Sequence, residues 1–321
     1  MGAKKREKAT KDKEQKLKRK VKSIERKIAS KLKELEAKMK IPCYPFLGAE
    51  ITKDVVCDVF DDLRKKCSDG NDKLMVLIDS GGGDIHAAFN LASLFRKFSK
   101  EELIFVVPRW AKSAATLLVC GGNKILMTPV AELGPLDPQI TEMNPFEQRF
   151  ENFSPLHVSS TLDLIRKELN DGNKELAGML VKRLQFPLTL GSFVKAIDIG
   201  RDYLGKLLKS RMLKGIEEGE INRLAEKLTT GYADHGFCIN FEEARNIGLV
   251  VEELTGGILD LVWEIYRLYD KKRSLEQEFM RKDMEEILKD LLKDAPDLKF
   301  PKEMREGINK KSGSVISDEQ Y

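Results

Sequence analysis

Apolar residues along this chain change their period several times, and each change predicts an element. Leu17, Val21, Ile24, Ile28, Leu32, Leu35 and Met39 recur in steps of three and four. That is a heptad-like seam and predicts a helix over residues 1–41. Ile41-Pro42 breaks it. Cys43 to Ile51 reads as a linker or an extended approach to the body, and Val55 to Leu63 as a helix. Leu74 to Ile78 is a short unbroken apolar run, the pattern of a buried strand. It stops at Asp79-Ser80-Gly81-Gly82-Gly83, after which Ile85, Ala88, Phe89, Ala92 and Phe95 return at helical spacing. A second strand, Leu103 to Val107, ends at Pro108, and a small-residue helix follows Ala111-Lys112-Ser113. Lys124 to Met127 is another short strand.

Beyond it, Ala131 to Pro138 is a loop stiffened by Pro135 and Pro138. Thr141 to Pro155 is polar with prolines and reads as a surface loop near the mouth of a site. Leu162 to Gln185 and Ser192 to Lys214 read as two helices, an interaction arm or lid. Asn240 with Glu243 three residues on resembles a capping box, and Gly248 a helix stop. Ile258 to Leu292 is amphipathic, one long helix or two. The expected organisation is an amphipathic arm (1–41), a body (42–255), a C-terminal helical segment (256–295) and a polar tail without fixed structure (296–321). The two terminal helices are expected to pack together or to bind partner subunits.

Charge changes the picture at one end only. The chain carries 56 basic and 52 acidic side chains in 321 residues. Residues 1–40 hold 17 of the basic and 6 of the acidic ones, leaving a basic arm on an acidic body. An anionic membrane surface is one partner that such an arm could meet. Nucleic acid is disfavoured, because the arm has no aromatic residue on which a base could stack. The five cysteines, Cys43, Cys57, Cys67, Cys120 and Cys238, are odd in number and without CxxC spacing, so no zinc site and no cofactor is expected. Cys120 and Cys238 fall in apolar surroundings and read as core. A reducing, cytoplasmic setting fits this usage. No stretch is apolar enough for a transmembrane helix, and no Walker motif is present.

The chemistry concentrates between Leu74 and Ile140. Three glycines after a strand let backbone N–H groups approach a ligand. A serine at a helix start sits among orphan N–H groups at the positive end of the dipole. Ser113 could attack a carbonyl there, with the N–H of Ala114 and that of Gly82 or Gly83 aimed at the resulting oxyanion. Taken separately, such a triplet is more often a turn or phosphate cradle, and such a serine an N-cap.

The order Ser80-Gly81-Gly82-Gly83-Asp84-Ile85, then Ala111-Lys112-Ser113-Ala114-Ala115-Thr116, then Leu133-Gly134-Pro135-Leu136-Asp137-Pro138-Gln139 resembles the serine dehydrogenase proteinase family. That family is a branch of the superfamily of the Clp proteolytic subunit and signal peptide peptidase A. The resemblance covers about Ile51 to Val251. It implies an α/β, crotonase-like (Clp protease-like) core of repeated ββα units, here with helical N- and C-terminal extensions. It also implies a serine peptidase with Ser113 as nucleophile, and a homo-oligomer.

A serine hydroxyl needs a base, and here the sequence departs from the relative. In the Clp subunit the triad histidine comes from the loop that here reads Leu136-Asp137-Pro138. This chain has an acid there, and its histidines are His86, His157 and His235. Three mechanisms stay open. His235 is the base, oriented by Asp137 or Asp234, in a triad with exchanged positions. Or a lysine is the base, as the resemblance to signal peptide peptidase A suggests, with Lys195 first and Lys167 next. Or no base is present and the fold serves assembly. Lys112 should point away from the nucleophile. The expected activity is ATP-independent cleavage of flexible or unfolded polypeptide through an acyl-enzyme on Ser113, in the cytoplasm or peripheral to a membrane. The rivals are a crotonase-type acyl-CoA enzyme and a non-catalytic scaffold.

Overall fold

A computed structural model describes residues 2–66, 71–136, 140–144, 149–153, 155–183 and 190–294. Asp137 and the polar tail over 296–321 lie outside the described residues. Contacts divide the chain into two units, residues 36–260 and residues 1–35 with 261–321.

The terminal unit consists of two long helices. The first, α1, runs Gly2–Met39 and continues out of this unit. Its partner enters from the C-terminal side of the chain, spanning Gly256–Asp294. Two ion pairs, Lys31 to Glu264 (2.9 Å) and Lys272 to Glu25 (2.8 Å), set the two helices antiparallel. Ile24 and Leu35 of the predicted seam are buried here, with Leu261, Val262, Ile265 and Tyr266. The heptad seam thus has a partner within its own chain.

The larger unit is a parallel α/β layer. Its sheet begins with β1 (Cys43–Leu47), α2 (Lys53–Lys66), β2 (Asn71–Asp79), α3 (Ile85–Lys97) and β3 (Ser99–Val107). A two-residue strand, β4 (Trp110–Ala111), precedes α4 (Ala114–Val119). There follow β5 (Lys124–Met127) and a second two-residue strand, β6 (Glu132–Leu133). Next come the hairpin β7 (Ile140–Asn144) and β8 (Arg149–Phe153), then α5 (Pro155–Asn170), α6 (Lys174–Arg183), α7 (Leu190–Ser210), α8 (Glu218–Thr230), α9 (Phe241–Asn246) and β9 (Val251–Glu253). The helix of Gly256–Asp294 is α10.

Five strands form one sheet in the order β1-β2-β3-β5-β9, every pair parallel. The central strands are apolar on both faces, as parallel strands covered by helices must be. Leu74 to Ile78 and Leu103 to Val107 are all buried. Past their C-terminal ends the chain makes a second, smaller set of pairings. Ile51 bridges Gly83, Ser80 bridges Ala111, β4 pairs with β6, and Leu133 bridges Ile239. A long strand, a short pairing and a helix therefore recur through β2 and α3, and through β3, β4 and α4. This is the α/β, ββα architecture expected from the sequence, with helical extensions.

Four expectations differ from the structure. Cys43–Leu47 is an edge strand rather than a linker, with Cys43 in register with Met75. An edge strand tolerates Pro45, because one side needs no ladder hydrogen bond. The expected loop over Thr141–Pro155 contains an antiparallel hairpin, Ile140 opposite Phe153. Pairing with each other holds strands in which Ile140, Thr141, Phe150 and Phe153 stand among polar residues of low β-propensity. The helix expected over Leu162–Gln185 is two, broken at Gly172 (φ +87), and its first half starts at Pro155, where a missing N–H costs nothing. Cys238 is exposed, not core, unlike Cys120.

Candidate active site

Ser113 stands between β4 and α4 with φ 50 and ψ −122. Lys40 is the other non-glycine residue with positive φ among the described residues. An L-residue there is strained and persists only where its surroundings hold it. The surroundings are on both sides. Before it, Lys112 N–H donates to the Ser80 carbonyl (3.1 Å), and Ser80 N–H donates to Trp110 (3.0 Å). After it, Thr116 is fully buried, and its Oγ1 lies 2.6 Å from the Ala111 carbonyl oxygen and 2.8 Å from that of Gly134. The same hydroxyl accepts the Gly134 N–H (3.1 Å). The helix start is thereby tied to the strand before Ser113 and to the loop that leads toward Asp137.

The glycine loop closes on the same point. A Cβ added to Gly82 would lie 3.0 Å from Ser113 Cβ and 3.1 Å from Ala114 N. Gly82 (φ +113) and Gly83 (φ +138) both need the left-handed freedom of glycine. Their N–H groups differ in availability. That of Gly82 donates to Ser80 Oγ (3.2 Å), which itself donates to the Ala49 carbonyl (2.7 Å). Gly83 is held through its neighbours: Ile51 N–H donates to Gly82 O (2.8 Å) and Asp84 N–H to Ile51 O (2.7 Å). Among the described residues, no hydrogen bond engages the N–H of Gly83, the N–H of Ala114 or the hydroxyl of Ser113. Gly83 is exposed and Ser113 half-buried. Ser113 and Gly83 reach the surface, Ala114 is buried directly behind Ser113, and Gly82 contributes shape rather than a donor. Asp84 secures the exit by capping α3, its carboxylate accepting the Ala87 N–H (2.7 Å).

Lys112 points away from this edge; it precedes Ser113, the N-cap of α4, and lies outside the helix. Its Nζ donates to Glu132 (2.7 Å) and to the Leu133 carbonyl (3.3 Å). Cys238 lies beside that pair; burial and then the Glu132 carboxylate raise its thiol pKa. His235 is half-buried and lies four residues before Ile239, which exchanges hydrogen bonds with Leu133 (2.9 and 3.0 Å). Since Leu133 pairs with Ala111, the histidine's loop is anchored two strands from the residue that precedes Lys112-Ser113. Lys195 is exposed on α7, and Lys167 lies on α5. Asp137, outside the described residues, follows Leu136, which is buried and tied to Leu228 through its N–H (2.8 Å). The residues that sequence reasoning left out are Ser80, Thr116 and Glu132. Their roles depend on partners 2 to 31 positions away in the chain, although the hydroxyl next to the glycine triplet was a visible signal.

The model of ClpP-like SDH-type serine proteinases matches residues 2–148. The family resemblance drawn from the sequence holds over that segment. The SDH-type match contains the glycine loop, Ser113, Ala114 and Asp137, and ends before Lys195 and His235. It supports a peptidase, and so a hydrolase. Two uncharacterized proteins of Methanocaldococcus jannaschii, MJ0137 and MJ1495, are 25% and 23% identical to the chain, each over 71% of its length. The matches span 68% and 66% of those relatives. Among solved structures, the 1510-N membrane-bound stomatin-specific protease superposes with a TM-score of 0.43 and 18% identity, over 68% of this chain and 81% of that one. For the ClpP protease catalytic domain from Plasmodium falciparum the values are 0.37 and 14%, over 66% and 85%. No described helix is long and apolar enough to cross a membrane.

Proposed function

We propose that this protein is an ATP-independent serine peptidase that cleaves flexible polypeptide through an acyl-enzyme on Ser113. The observation that carries this reading is the strained backbone of Ser113 beside two uncommitted N–H groups, those of Gly83 and Ala114. Strain of this kind is retained where it orients a reacting group. Ser113 Oγ attacks the peptide carbonyl carbon while its proton passes to a base. The carbonyl oxygen becomes an oxyanion and accepts hydrogen bonds from both N–H groups. The base returns the proton to the amine nitrogen as the C–N bond breaks, leaving an ester on Ser113. Water, deprotonated by the same base, then releases the acid and restores the hydroxyl.

His235 is the base on this reading, with Asp137 or Asp234 orienting it, because its loop is anchored through Ile239 and Leu133 to the strand before Ser113. Lys195 is the alternative, although it is exposed on α7, and a lysine base needs a desolvated site. The exposed apolar side chains of α5 and α6, Leu164, Leu169, Leu176, Met179 and Val181, support a homo-oligomer joined through these helices. The basic residues of α1 support a peripheral contact with anionic lipid and a cytoplasmic setting.

The test is fluorophosphonate labelling read by intact mass. The wild type is expected to gain one adduct and Ser113→Ala none. His235→Ala should lose labelling while Lys195→Ala keeps it; the reverse result exchanges the two bases. A folded wild type that takes no label overturns the peptidase and favours a scaffold.

A further inference from the structure

At the opposite end of α3 from the glycine loop, the Arg211 guanidinium meets the Arg96 carbonyl, and among the described residues neither arginine has an ion pair. Arg211 spreads its guanidinium over neutral acceptors. Nη2 donates to the carbonyls of Arg96 (3.1 Å) and Ser99 (2.5 Å), and Nη1 to Asn123 Oδ1 (3.2 Å). These bonds cap the last turn of α3 and fix Arg211 in place. Arg96, on that same last turn, is half-buried. Among the described residues, no hydrogen bond or ion pair engages its guanidinium. Asn123 is spoken for on its oxygen, which also accepts the Leu103 N–H (2.8 Å), so its amide NH₂ remains a donor. Lys97 and Lys100 flank the place, both exposed.

Two guanidinium groups brought together out of water repel each other, and the Arg96 charge is felt at Arg211. Burial lowers the pKa of Arg96, and burial followed by the Arg96 charge lowers that of Arg211. The negative end of the α3 dipole offsets part of this, but its effect amounts to about half a charge, against two full ones. Two other cations on this unit have carboxylate partners, Lys73 with Glu102 and Lys124 with Glu252. A guanidinium with all five donors uncommitted, beside a second cation and a free amide, has the chemistry of an oxyanion receptor.

We propose that Arg96, Arg211 and the Asn123 amide form a binding site for a small oxyanion, a phosphate or carboxylate group, at the C-terminal end of α3. Arg96 makes the direct contacts, the fixed Arg211 supplies a second positive charge, and the anion relieves their mutual repulsion. The site is separate from the Ser113 edge, which lies at the other end of the helix.

Isothermal titration of the full chain with inorganic phosphate and with citrate, against chloride at matched ionic strength, tests this. The wild type should bind at least one of the two anions, and Arg96→Gln should weaken that binding at least about tenfold, the worth of a charge-assisted contact. Lys97→Gln, a neighbouring charge outside the site, should change it less than about threefold. Sedimentation with phosphatidic acid vesicles separates the sources. Binding to vesicles that depends on Arg96, without heat from either soluble anion, assigns the oxyanion to a lipid headgroup. Equal binding by wild type and Arg96→Gln, or by Arg96→Gln and Lys97→Gln, overturns the proposal. So does the absence of any anion-specific heat or vesicle binding in a wild type with a native circular dichroism spectrum. In that case the helix terminus alone balances the pair.

Discussion

The backbone of Gly82 lies against Ser113 so closely that a single added carbon would sit 3.0 Å from the serine Cβ and 2.8 Å from the Lys112 carbonyl oxygen. The obstacle is main chain and cannot swing aside. Gly82→Ala is therefore expected to displace Ser113 or the glycine loop, at about 1–3 kcal/mol including its positive φ. Fluorophosphonate labelling should slow by more than the loss in thermal stability explains. A variant that labels at the wild-type rate would show that the contact does not set the nucleophile's position.

Ser113 itself stores strain, so removing its side chain in two ways should give different stabilities. Ser113→Ala keeps the Cβ at φ 50. Ser113→Gly releases it, and the gain exceeds the extra entropy of glycine in the unfolded chain. The glycine variant is expected to be more stable than the alanine variant by about 1 kcal/mol in urea unfolding, with both inactive toward the probe. Equal stabilities would mean that the surroundings impose no strain at this residue.

Thr116 ties the nucleophile's helix to two other segments. Thr116→Val preserves volume and leaves the Gly134 N–H buried without its acceptor. A loss of about 1–3 kcal/mol is expected, together with slower labelling of Ser113. A stable variant that labels normally would reduce Thr116 to a packing residue.

Burial pushes the thiols of Cys43 and Cys120 up to about 12, from an ordinary value near 9. Between those values the unfolded chain has released protons that the folded chain still holds. The unfolded state then binds fewer protons, so stability is complete below about pH 9 and declines as pH rises toward 12. Tyr44 and Tyr232, raised by burial and by Asp62 and Glu243 respectively, act in the same direction. Urea midpoints at pH 8 and pH 10.5 should show the decline, and it should be smaller in a Cys43→Ala, Cys120→Ala variant. At pH 8 in the native state, Ellman's reagent should reach exposed Cys57 and Cys238 and spare the two buried thiols.

Leu176 and Met179 are 45% and 52% exposed on α6. If this face joins subunits, Leu176→Glu with Met179→Glu should reduce the mass seen by light scattering to that of a smaller species. An unchanged mass, whether the wild type is monomeric or assembled, would move the contact elsewhere.

Much of the site was legible in the chain because its parts are local. Three glycines after an apolar run, and a serine before a run of small residues, announce a tight loop and a helix start wherever they occur. The order of the motifs also carried the resemblance to the family whose model matches residues 2–148. The edge strand at Cys43 and the hairpin from Ile140 were not legible, since their strands are made by partners. Nor was the difference between Gly82 and Gly83. Two adjacent glycines look alike in sequence, and only the placement of Ser80 Oγ assigns one N–H to the scaffold and leaves the other uncommitted.

By itself the sequence determined three strands of the sheet (Leu74–Ile78, Leu103–Val107 and Lys124–Met127), the glycine loop, the helix that begins after Ser113 and the basic terminal arm, because each follows from short-range periodicity and backbone freedom. The tertiary structure decided which donors stay open and how Ser113 is strained. It also decided that the arm's seam has a partner in its own chain, and that Arg96 and Arg211 meet without an ion-paired acid among the described residues. Those outcomes depend on residues far apart in the chain and brought within a few ångströms, a relation that no local pattern encodes.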